Sequence, residues 1–452
     1  MIKVKIPASK SQAHRLLICS ALSERPVTIS CDGMSEDIMA TINCLRSLGT
    51  DIEIDESDRA AEIRIKPISR ISHGEVDSVD STNPDSITAT QQTFESEVDE
   101  VELECGESGS TLRFLIPICG ILGQKARFNM QGRLPQRPLA PFDEELRKHG
   151  MIIRQEGNLL HVEGRLHAGT YVLPGNISSQ YISALLMTLP LLEGDSSLCI
   201  RDNMESLDYI TMTEKVLSLA GCRLNKSLDG HESTYETEYT EKFIIHGGQK
   251  LEMPRSIEVE GDWSNGAFFL SLGALMDEGL EVCGLSQNTG QGDKRILGLL
   301  EDFGAQINVE ADKVIVRRGE LKGQIIDCSM IPDLIPVLAV VASVADGRTE
   351  FINAGRLRFK ESDRIESTVN MICSLEGKAY EDQDGITVDG CPRLKGGVVN
   401  SYSDHRIAMA AGVAKVLCEE KVVISNPECV NKSYPRFWED LGAALGGQTQ
   451  MW

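Results

Sequence analysis

The fold is decided by the segment SKSQAHRLLICSAL at residues 9–22, because its design recurs five more times along the chain. Each copy has a polar start that contains Ser or Asp, followed by an apolar run rich in small residues. Ser and Asp are preferred at helix N-caps, and a run that is apolar nearly all round is typical of a buried helix. The sequence therefore predicts six buried helices. The other copies are SGSTLRFLIPICGIL at 108–122, SSQYISALLMTLPLL at 178–192, DWSNGAFFLSLGALM at 262–276, IPDLIPVLAVVASVA at 331–345 and SDHRIAMAAGVAKVL at 403–417.

A second, amphipathic segment follows each copy and contains a Gly near its end. Glycine suits the position just after a helix, where the backbone takes a positive φ. An alternating, strand-like run follows most of these glycines. The pattern predicts six units of about 70 residues with strands and two helices each, arranged as two domains of three units, with EVEGDWSNGA at residues 258–267 as the crossing point. The glycines are Gly49, Gly150, Gly221, Gly304, Gly377 and Gly442.

The charge of the chain excludes several classes of partner. The 452 residues include 68 acids and 45 bases, which gives a formal net charge of −23. Nucleic acids and anionic membranes both attract basic surfaces, so we expect neither as a partner. Residues 71–105 hold ten acids and residues 227–241 hold five, with no Lys or Arg in either stretch. We expect both stretches to be solvated loops or hairpins.

We expect a cytoplasmic protein. The N-terminus, MIKVKIPASK, lacks the apolar region of a signal peptide. The longest apolar run, residues 334–345, has 12 residues and includes Pro336, which is too short to span a bilayer. The thirteen cysteines form no C-x-x-C pair, so we predict buried, reduced thiols rather than a zinc site.

Basic side chains near the helix starts point to a site for small anions. A helix N-terminus has free N–H groups and a partial positive charge, so converging starts form a site for phosphate and carboxylate groups. Lys10, Arg15, Arg113 and Arg406 lie near such starts, and Lys432 lies in a late loop. The chain has no phosphate-binding P-loop, no dinucleotide-binding glycine motif and no G-x-S-x-G elbow.

Two segments leave a structural and a functional interpretation open. The segment RLRFKESDRIE at residues 356–366 interleaves bases and acids. It is either an i,i+4 network on a helix face, with Lys360 one turn from Arg364, or an anion clamp with a carboxyl placed for proton transfer. Asp333 is either the N-cap of the fifth buried helix or a general base.

At these residues the chain resembles the 3-phosphoshikimate 1-carboxyvinyltransferase (EPSP synthase) family of enolpyruvyl transferases over essentially its whole length. Eight motifs carry the resemblance in the family's order: SKSQAHR, GESGSTLR, RLPQRP, SSQ, IPD, KESDR, DHR and NKSYP. The resemblance implies an α/β fold of two inside-out barrel domains, each of three βαβαββ units. We expect residues 9–258 in one domain and residues 1–8 and 259–452 in the other, with the active site between them.

The resemblance also implies a reaction. The family transfers the enolpyruvyl group of phosphoenolpyruvate to the 5-hydroxyl of shikimate 3-phosphate and releases phosphate, without a metal or organic cofactor. Motif matching implies Asp333 as base, with Glu361 or Lys10 as acid. It places Lys10, Ser11, Arg15, Ser178, Ser179, Ser206, Tyr209, Asp333 and Lys360 on the shikimate 3-phosphate side. It places Lys10, Gly109, Arg137, Gln180, Arg364, Arg406 and Lys432 on the phosphoenolpyruvate side.

Two positions depart from the family pattern. Glu107 stands where many members have Asn, and Arg113 is a candidate partner for its carboxylate. Arg356 stands where some members have Asn. Because residue 109 is glycine, we expect binding of the phosphonate herbicide glyphosate. No heptad or apolar surface stripe is apparent, so we expect a monomer.

Two alternatives to this function remain open. UDP-N-acetylglucosamine 1-carboxyvinyltransferase shares the fold, but its catalytic loop commonly carries a Cys, and the loop QGRLPQRPLAP at residues 131–141 has none. A non-catalytic anion-binding protein of this fold would lack Asp333, Glu361 or Lys10, and all three are present.

Overall fold

The computed structural model describes residues 1–57, 59–68, 100–227, 239–311 and 313–446. Residues 71–99 and 228–238, which hold most of the two acidic stretches, lie outside the described residues. The expectation that these stretches are solvated therefore stays a prediction.

Twelve α-helices occur in the described part of the chain, two for each predicted unit. The six buried helices are α1 (Lys10–Ala21), α3 (Gly109–Leu122), α5 (Ser179–Thr188), α7 (Trp263–Leu275), α9 (Ile335–Ala342) and α11 (His405–Ala414). The six second helices are α2 (Glu36–Ser47), α4 (Phe142–Lys148), α6 (Leu207–Leu219), α8 (Ile296–Phe303), α10 (Arg364–Ser374) and α12 (Phe437–Ala444).

Side-chain caps start five of the six buried helices. In each of these five, the N-cap oxygen accepts a backbone N–H of the first turn, which satisfies one of the donors that a helix start leaves free. Helix α9 differs, because Leu334 precedes it and gives no side-chain cap. The caps are Ser9, Ser108, Ser178, Asp262 and Asp404.

Among the described residues, the strands form five sheets of four and one of two, and the five share one pairing pattern. In each four-stranded sheet one edge pair is parallel and the other two pairs are antiparallel. The sixth sheet retains only a parallel pair among the described residues. The repeat predicted from the sequence is therefore present in the backbone pairing.

The strands of the first three sheets are, in spatial order, β13 (Ser256–Glu258), β2 (Val27–Cys31), β4 (Ala61–Lys66), β3 (Asp51–Glu56); β5 (Val101–Gly106), β6 (Ala126–Met130), β8 (Leu159–Gly164), β7 (Met151–Glu156); and β11 (Asn225–Ser227), β12 (Glu241–Ile245), β10 (Ser196–Arg201), β9 (Thr170–Pro174). Those of the other three are β1 (Ile2–Lys5), β14 (Leu280–Cys283), β16 (Lys313–Arg317), β15 (Gln306–Val309); β17 (Ile325–Asp327), β18 (Arg348–Ile352), β20 (Ile386–Asp389), β19 (Lys378–Glu381); and β21 (Gly397–Asn400), β22 (Val422–Ser425).

Two separate apolar cores divide the molecule into halves. The first core uses residues from Ala8 to Val259, and the second uses Val4, Ile6 and residues from Trp263 to Ala444. Helices α1, α3 and α5 lie in the first core and α7, α9 and α11 in the second, with sheets outside them. The chain crosses between the halves twice, because β1 pairs with β14 and β13 pairs with β2. The expected domain boundaries at residues 8 and 258 stay a prediction.

Four of the six predicted helix-ending glycines have the expected positive φ, and two do not. Gly49, Gly150, Gly221 and Gly304 take φ between 76° and 109°. Near Gly377 the positive φ falls on Glu376 instead, at 61°. Gly442 lies inside α12, and Gly446, at φ 74°, follows that helix. The prediction was therefore wrong at Gly377 and Gly442.

The cysteines confirm the expectation of mostly buried thiols. All thirteen are free and nine are buried, while Cys373 is exposed. Burial raises the pKa of the Cys19 thiol to about 12, so this thiol stays protonated and unreactive. Among the described residues, no helix is both long and apolar enough to cross a membrane.

Candidate active site

A cavity of about 390 Å³ lies between the two halves, at the starts of several buried helices. Helices α1, α3 and α5 reach it from the first half, and α11 reaches it from the second. Asp333, two residues before α9, also lines it. Every predicted site residue except Lys432 lines this cleft: Lys10, Ser11, Arg15, Gly109, Arg137, Ser178, Ser179, Gln180, Ser206, Tyr209, Asp333, Lys360, Glu361, Arg364 and Arg406.

Asp333 is surrounded by cations in the cleft. Arg364 Nη1 lies 2.7 Å from Oδ1, and Arg406 Nε lies 3.4 Å from the same oxygen. The hydroxyl of Tyr209 donates to Oδ2 at 2.9 Å. Burial alone would raise the pKa of Asp333, but the charges of Arg406, Lys360 and Arg364 outweigh it and hold the pKa well below its usual range. The N-cap interpretation of Asp333 is wrong, since Leu334 takes the N-cap position of α9.

Lys360 and Glu361 precede helix α10 and do not form a helix face. Lys360 has an extended backbone, and α10 begins at Arg364 with Asp363 as its side-chain cap. The i,i+4 interpretation of this segment is therefore wrong. Lys360 Nζ lies 3.9 Å from Asp333 Oδ1, and burial lowers the pKa of Lys360 to about 8.

Glu361 lies among three cations from both halves. Its carboxylate is 2.8 Å from Arg364 Nη2, 3.4 Å from Arg137 Nη1 and 3.8 Å from Lys432 Nζ. Burial would raise the pKa of Glu361, but Arg137, Arg364 and Lys432 outweigh burial and hold the pKa well below its ordinary value. Lys432 thus adjoins the cleft through Glu361, although it does not line the cavity.

Lys10 is fixed by two carboxylates, one from each half. Its Nζ donates to Asp37 Oδ2 at 2.9 Å, and its backbone N–H donates to Asp262 Oδ2 at 3.0 Å. The ammonium group therefore sits at the first turn of α1 with its position set by α2. Asp37 is 6% exposed and also lines the cavity.

The residues expected on the shikimate 3-phosphate side are tied into the first half. Arg15 is 2% exposed, and its guanidinium donates to the hydroxyls of Thr213 and Ser183 and to the carbonyl of Tyr209. Ser178 caps α5, which leaves the first-turn hydroxyl of Ser179 at the cavity wall.

The loop before α6 adds polar groups to the same wall. Ser206 has a left-handed backbone at φ 54°, and Arg356 of the other half donates to its hydroxyl at 3.2 Å. Arg356 also lines the cavity, so the chain brings a further cation to this side. On the opposite wall, Gln180 Nε2 donates to Ser110 Oγ at 3.0 Å.

Gly109 allows two guanidinium groups to approach the start of α3. A Cβ at this position would lie 2.7 Å from Arg113 Nη1 and 3.0 Å from Arg137 Nη1. Either arginine would have to shift to accept a side chain here. Glycine is thus required for the observed placement of Arg113 and Arg137.

The partner of Glu107 is Lys432 and not Arg113. Lys432 Nζ lies 3.3 Å from Glu107 Oε2 and donates to the Glu107 carbonyl at 3.1 Å. Arg113 instead donates to the carbonyls of Gly109 and Pro138. The departure at residue 107 therefore places a carboxylate on one of the expected phosphoenolpyruvate-binding cations.

Several polar contacts join the halves across the cleft. Each connects a side chain of the first half to one of the second, so the relative position of the halves and the shape of the cleft are linked. They include Tyr209–Asp333 at 2.9 Å, Glu205–Arg356 at 2.8 Å, Ser206–Arg356 at 3.2 Å, Arg137–Glu361 at 3.4 Å and Glu107–Lys432 at 3.3 Å.

Two buried acids hold the site cations, Asp37 and Asp404, and sequence reasoning assigned neither of them a role. Asp404 is 0% exposed, caps α11 and accepts two hydrogen bonds from Arg364. The sequence signal for Asp404 is an acid two positions before the basic Arg406 in the motif SDHR. Asp37 follows Glu36 in the first turn of α2, where acids are ordinary because they complement the helix dipole, so nothing marked it as a partner of Lys10.

The donor set of the cleft suits anions and not a metal. Among the described residues, no group of three or more His, Cys, Asp or Glu side chains is placed to hold a metal ion. The carboxylates of the cleft are already engaged by arginine and lysine. The expectation that no cofactor is needed stays a prediction.

Comparisons with known proteins agree on one family. The sequence profile described as EPSP synthase (3-phosphoshikimate 1-carboxyvinyltransferase) matches residues 2–441. A Clostridium acetobutylicum protein named 3-phosphoshikimate 1-carboxyvinyltransferase is 39% identical over 455 residues, covering 99% of this chain and 96% of that protein. A Clostridium perfringens protein of the same name is 38% identical over 449 residues, covering 98% and 96%.

Solved structures confirm the fold. The EPSP synthase of Acinetobacter baumannii superposes with a TM-score of 0.72 at 24% identity, covering 98% of this chain and 95% of that one. The enolpyruvyl transferase NikO of Streptomyces tendae superposes with a TM-score of 0.66 at 17% identity, covering 97% and 93%. The α/β fold of two inside-out barrels is confirmed, and its sixth unit keeps only β21 and β22 among the described strands.

The cleft, the repeat and the matched sequences concur. Cations at the helix starts line the cleft between the two halves together with several carboxylates. The profile covers nearly the whole chain, and the curated relatives match it from end to end. The chain belongs to the 3-phosphoshikimate 1-carboxyvinyltransferase (EPSP synthase) family.

Proposed function

We propose that the chain is a transferase that moves the enolpyruvyl group of phosphoenolpyruvate to the 5-hydroxyl of shikimate 3-phosphate. The products are 5-enolpyruvylshikimate 3-phosphate and phosphate, in the shikimate pathway. The observation that carries the proposal is the placement of Asp333 among Lys360, Arg364 and Arg406 in a cleft of about 390 Å³. Such a cleft offers several cations to two anionic substrates and one carboxylate to a hydroxyl.

Binding of the substrate anions is expected to raise the pKa of Asp333 and so make it a better base. In the structure its pKa is held low by the charges of Arg406, Lys360 and Arg364. Phosphate and carboxylate groups that bind these cations compensate their charge, so the pKa of Asp333 rises as the site fills. The base is thereby activated only when a substrate hydroxyl is in place.

The reaction then proceeds by addition and elimination. Asp333 accepts the proton of the 5-hydroxyl while the oxygen of that hydroxyl bonds to C2 of phosphoenolpyruvate. An acid, Glu361 or Lys10, protonates C3. The tetrahedral intermediate then loses phosphate, and a proton leaves C3 to restore the double bond. The bidentate geometry of arginine suits Arg137, Arg364 and Arg406 to hold the carboxylate and phosphate groups.

The remaining predicted residues have supporting roles in the proposal. Ser11, Arg15, Ser178, Ser179, Ser206, Tyr209 and Lys360 bind shikimate 3-phosphate, and Gly109, Gln180 and Lys432 contribute to binding phosphoenolpyruvate. Cross-cleft contacts such as Tyr209–Asp333 support a closed state that excludes water. We also propose the domains 9–258 and 1–8 with 259–452, because the two apolar cores divide the chain within one residue of these bounds.

Further parts of the proposal concern the setting of the enzyme. The thirteen free cysteines favour a reducing compartment such as the cytoplasm, and the net charge of −23 disfavours nucleic-acid partners. We propose a monomer, which light scattering checks directly. We propose that glyphosate binds, because Gly109 lets the guanidinium groups of Arg113 and Arg137 approach the start of α3, and that turnover survives a metal chelator.

A phosphate-release assay tests the function. Release is expected only when phosphoenolpyruvate and shikimate 3-phosphate are both present. Release with UDP-N-acetylglucosamine in place of shikimate 3-phosphate would instead assign the related transferase activity, and no release with either acceptor would assign a binding protein.

A further inference from the structure

A second cavity, of about 360 Å³, lies between the halves and shares no lining residue with the active cleft. Its volume is close to that of the cleft and falls within the range of small-molecule sites. None of the residues assigned to the reaction lines it. This cavity is therefore a separate feature of the molecule.

Both halves contribute apolar walls to the second cavity. Ile6 and Pro7 belong to the segment where the chain crosses between the halves, and Met34 and Met39 belong to the first half. Tyr434 comes from the second half and is 1% exposed. Methionine side chains adapt to irregular ligand shapes, so the cavity suits an apolar group of aryl or alkyl type.

A weakly held arginine lies at the edge of the cavity. The Arg59 side chain is 49% exposed and lies 3.6 Å from Asp440 Oδ1, while Asp440 Oδ2 accepts the hydroxyl of Tyr434 at 2.8 Å. An exposed ion pair of this length contributes little. A ligand carboxylate that takes two N–H groups of Arg59 makes a stronger, bidentate contact.

The second cavity and the active cleft share structural elements. Met39 lies on α2, two residues after Asp37, whose carboxylate holds Lys10 at 2.9 Å. Tyr434 lies two residues after Lys432, which contacts Glu361. A ligand that contacts Met39 and Tyr434 thus touches residues only two positions along the chain from Asp37 and Lys432.

We propose that the second cavity is an effector site for a small amphipathic carboxylate, and that its occupation strengthens substrate binding in the cleft. A ligand that contacts Pro7 and Met39 bridges the halves and favours the arrangement in which the cross-cleft contacts form. By linkage, substrates strengthen effector binding by the same factor. The effect on substrates rests on the proposed function, whereas binding to the cavity does not.

Calorimetric titration of the full chain with 3-phenylpropanoate tests the site. One binding site is expected, with affinity at least fivefold weaker for 3-phenylpropanamide, which lacks the charge, and for propanoate, which lacks the aryl group. Titrations with saturating phosphoenolpyruvate, and separately with saturating shikimate 3-phosphate, distinguish the cavities. Tighter binding supports the proposal, and unchanged binding overturns the coupling to the cleft. Loss of binding in either titration overturns the site itself, because the probe would then occupy the cleft.

Matched arginine variants locate the site. Arg59→Gln is expected to weaken the probe about fivefold while leaving turnover without probe unchanged. Arg64→Gln is the control, because Arg64 is also 49% exposed, lies on the neighbouring strand β4 and does not line the cavity. Equal affinities in the two variants would overturn the proposal, as would a probe that raises the KM of either substrate. If no turnover is found, the titrations still decide whether the cavity binds the probe.

Discussion

Asp404 and Arg364 form a buried two-point ion pair beneath the active cleft. Arg364 Nε lies 2.8 Å from Asp404 Oδ2, and Nη2 lies 3.3 Å from Oδ1. The Arg364 side chain is 1% exposed and the Asp404 side chain is 0% exposed. This pair fixes the plane of the guanidinium, so Nη1 is directed at Asp333 at 2.7 Å.

Asp404→Asn is expected to destabilise the protein by about 2 kcal/mol, because the buried guanidinium of Arg364 loses the charge of one of its three carboxylate partners and keeps only Asp333 and Glu361. The KM for phosphoenolpyruvate is expected to rise as well, since Arg364 loses its orientation. Urea unfolding and steady-state kinetics measure the two effects. Asp389→Asn is the control, because its partner Arg348 is 58% exposed, and it is expected to change stability by less than about 1 kcal/mol. Equal losses in the two variants would contradict the role assigned to Asp404.

Asp333→Asn is expected to lower kcat about 10²- to 10⁴-fold, the usual contribution of a positioned base, with both substrates still bound. Tyr209→Phe removes only the hydrogen bond to Asp333 and is expected to cost much less. Stopped-flow or quench measurements of phosphate release, together with equilibrium binding, separate the two effects. Near-normal turnover in Asp333→Asn would exclude Asp333 as the base.

Glu107→Gln is expected to lower the KM for phosphoenolpyruvate about twofold to fivefold. The carboxylate lies 3.3 Å from Lys432 Nζ and competes with a bound anion for that charge, but it is 35% exposed, so the effect is modest. Glu104→Gln on β5 is a control, because that side chain is exposed and does not contact Lys432. An unchanged or higher KM in Glu107→Gln would show that Lys432 does not bind the anion.

Gly109→Ala is expected to raise the KM for phosphoenolpyruvate about tenfold and to weaken glyphosate binding. The added Cβ would lie 2.7 Å from Arg113 Nη1 and 3.0 Å from Arg137 Nη1, and displaced ligand-binding groups are costly. Gly298→Ala in α8 is the control, since a Cβ there meets no atom within 4 Å. Kinetics that match for the two variants would rule out the crowding argument.

His14 is expected to make the stability of the protein depend on pH. The side chain is 0% exposed, with Nδ1 2.7 Å from Thr41 Oγ1, and burial lowers its pKa to about 3. Between pH 3 and about 6.5 only the unfolded chain binds the proton, so stability rises with pH there, by up to about 1.4 kcal/mol per pH unit.

His14→Gln removes this titration and is expected to flatten the slope of unfolding free energy between pH 4 and 6.5. Stability reaches its full value above about pH 6.5, where His14 is neutral in the unfolded chain as well as in the folded one. A slope that is the same in wild type and His14→Gln would show that His14 accepts its proton in the folded state too.

The buried helices and the site cations were predictable because each has a local signal. Ser9, Ser108 and Ser178 precede apolar runs, and Lys10 and Arg406 stand at helix starts. Pairings across the cleft were not predictable in this way. Lys432 meets Glu107 although the two residues are 325 positions apart, and only the packing of one half against the other brings them together.

The sequence also did not predict how the fifth and sixth units differ from the other four. The fifth unit has no side-chain cap on its buried helix, which leaves Asp333 outside the helix and available to the cleft. In the terminal unit Gly442 lies within α12. The expectation at Gly442 was wrong because it assumed that all six units end alike. In both cases the local sequence followed the repeat of the other units, whereas the backbone did not.

The pairing of β1 with β14 sets an order for folding during synthesis. Ile2 pairs with Leu280, so the ribosome makes the two partners 278 residues apart. At about 5 to 20 residues per second, the delay between them is roughly 14 to 56 seconds. The first half can build its core in that time, while β1 (Ile2–Lys5) stays unpaired because β14 has not yet been made. The strand that begins the sequence is therefore among the later ones to reach its native partner, and an early-acting chaperone or protease would meet it unpaired.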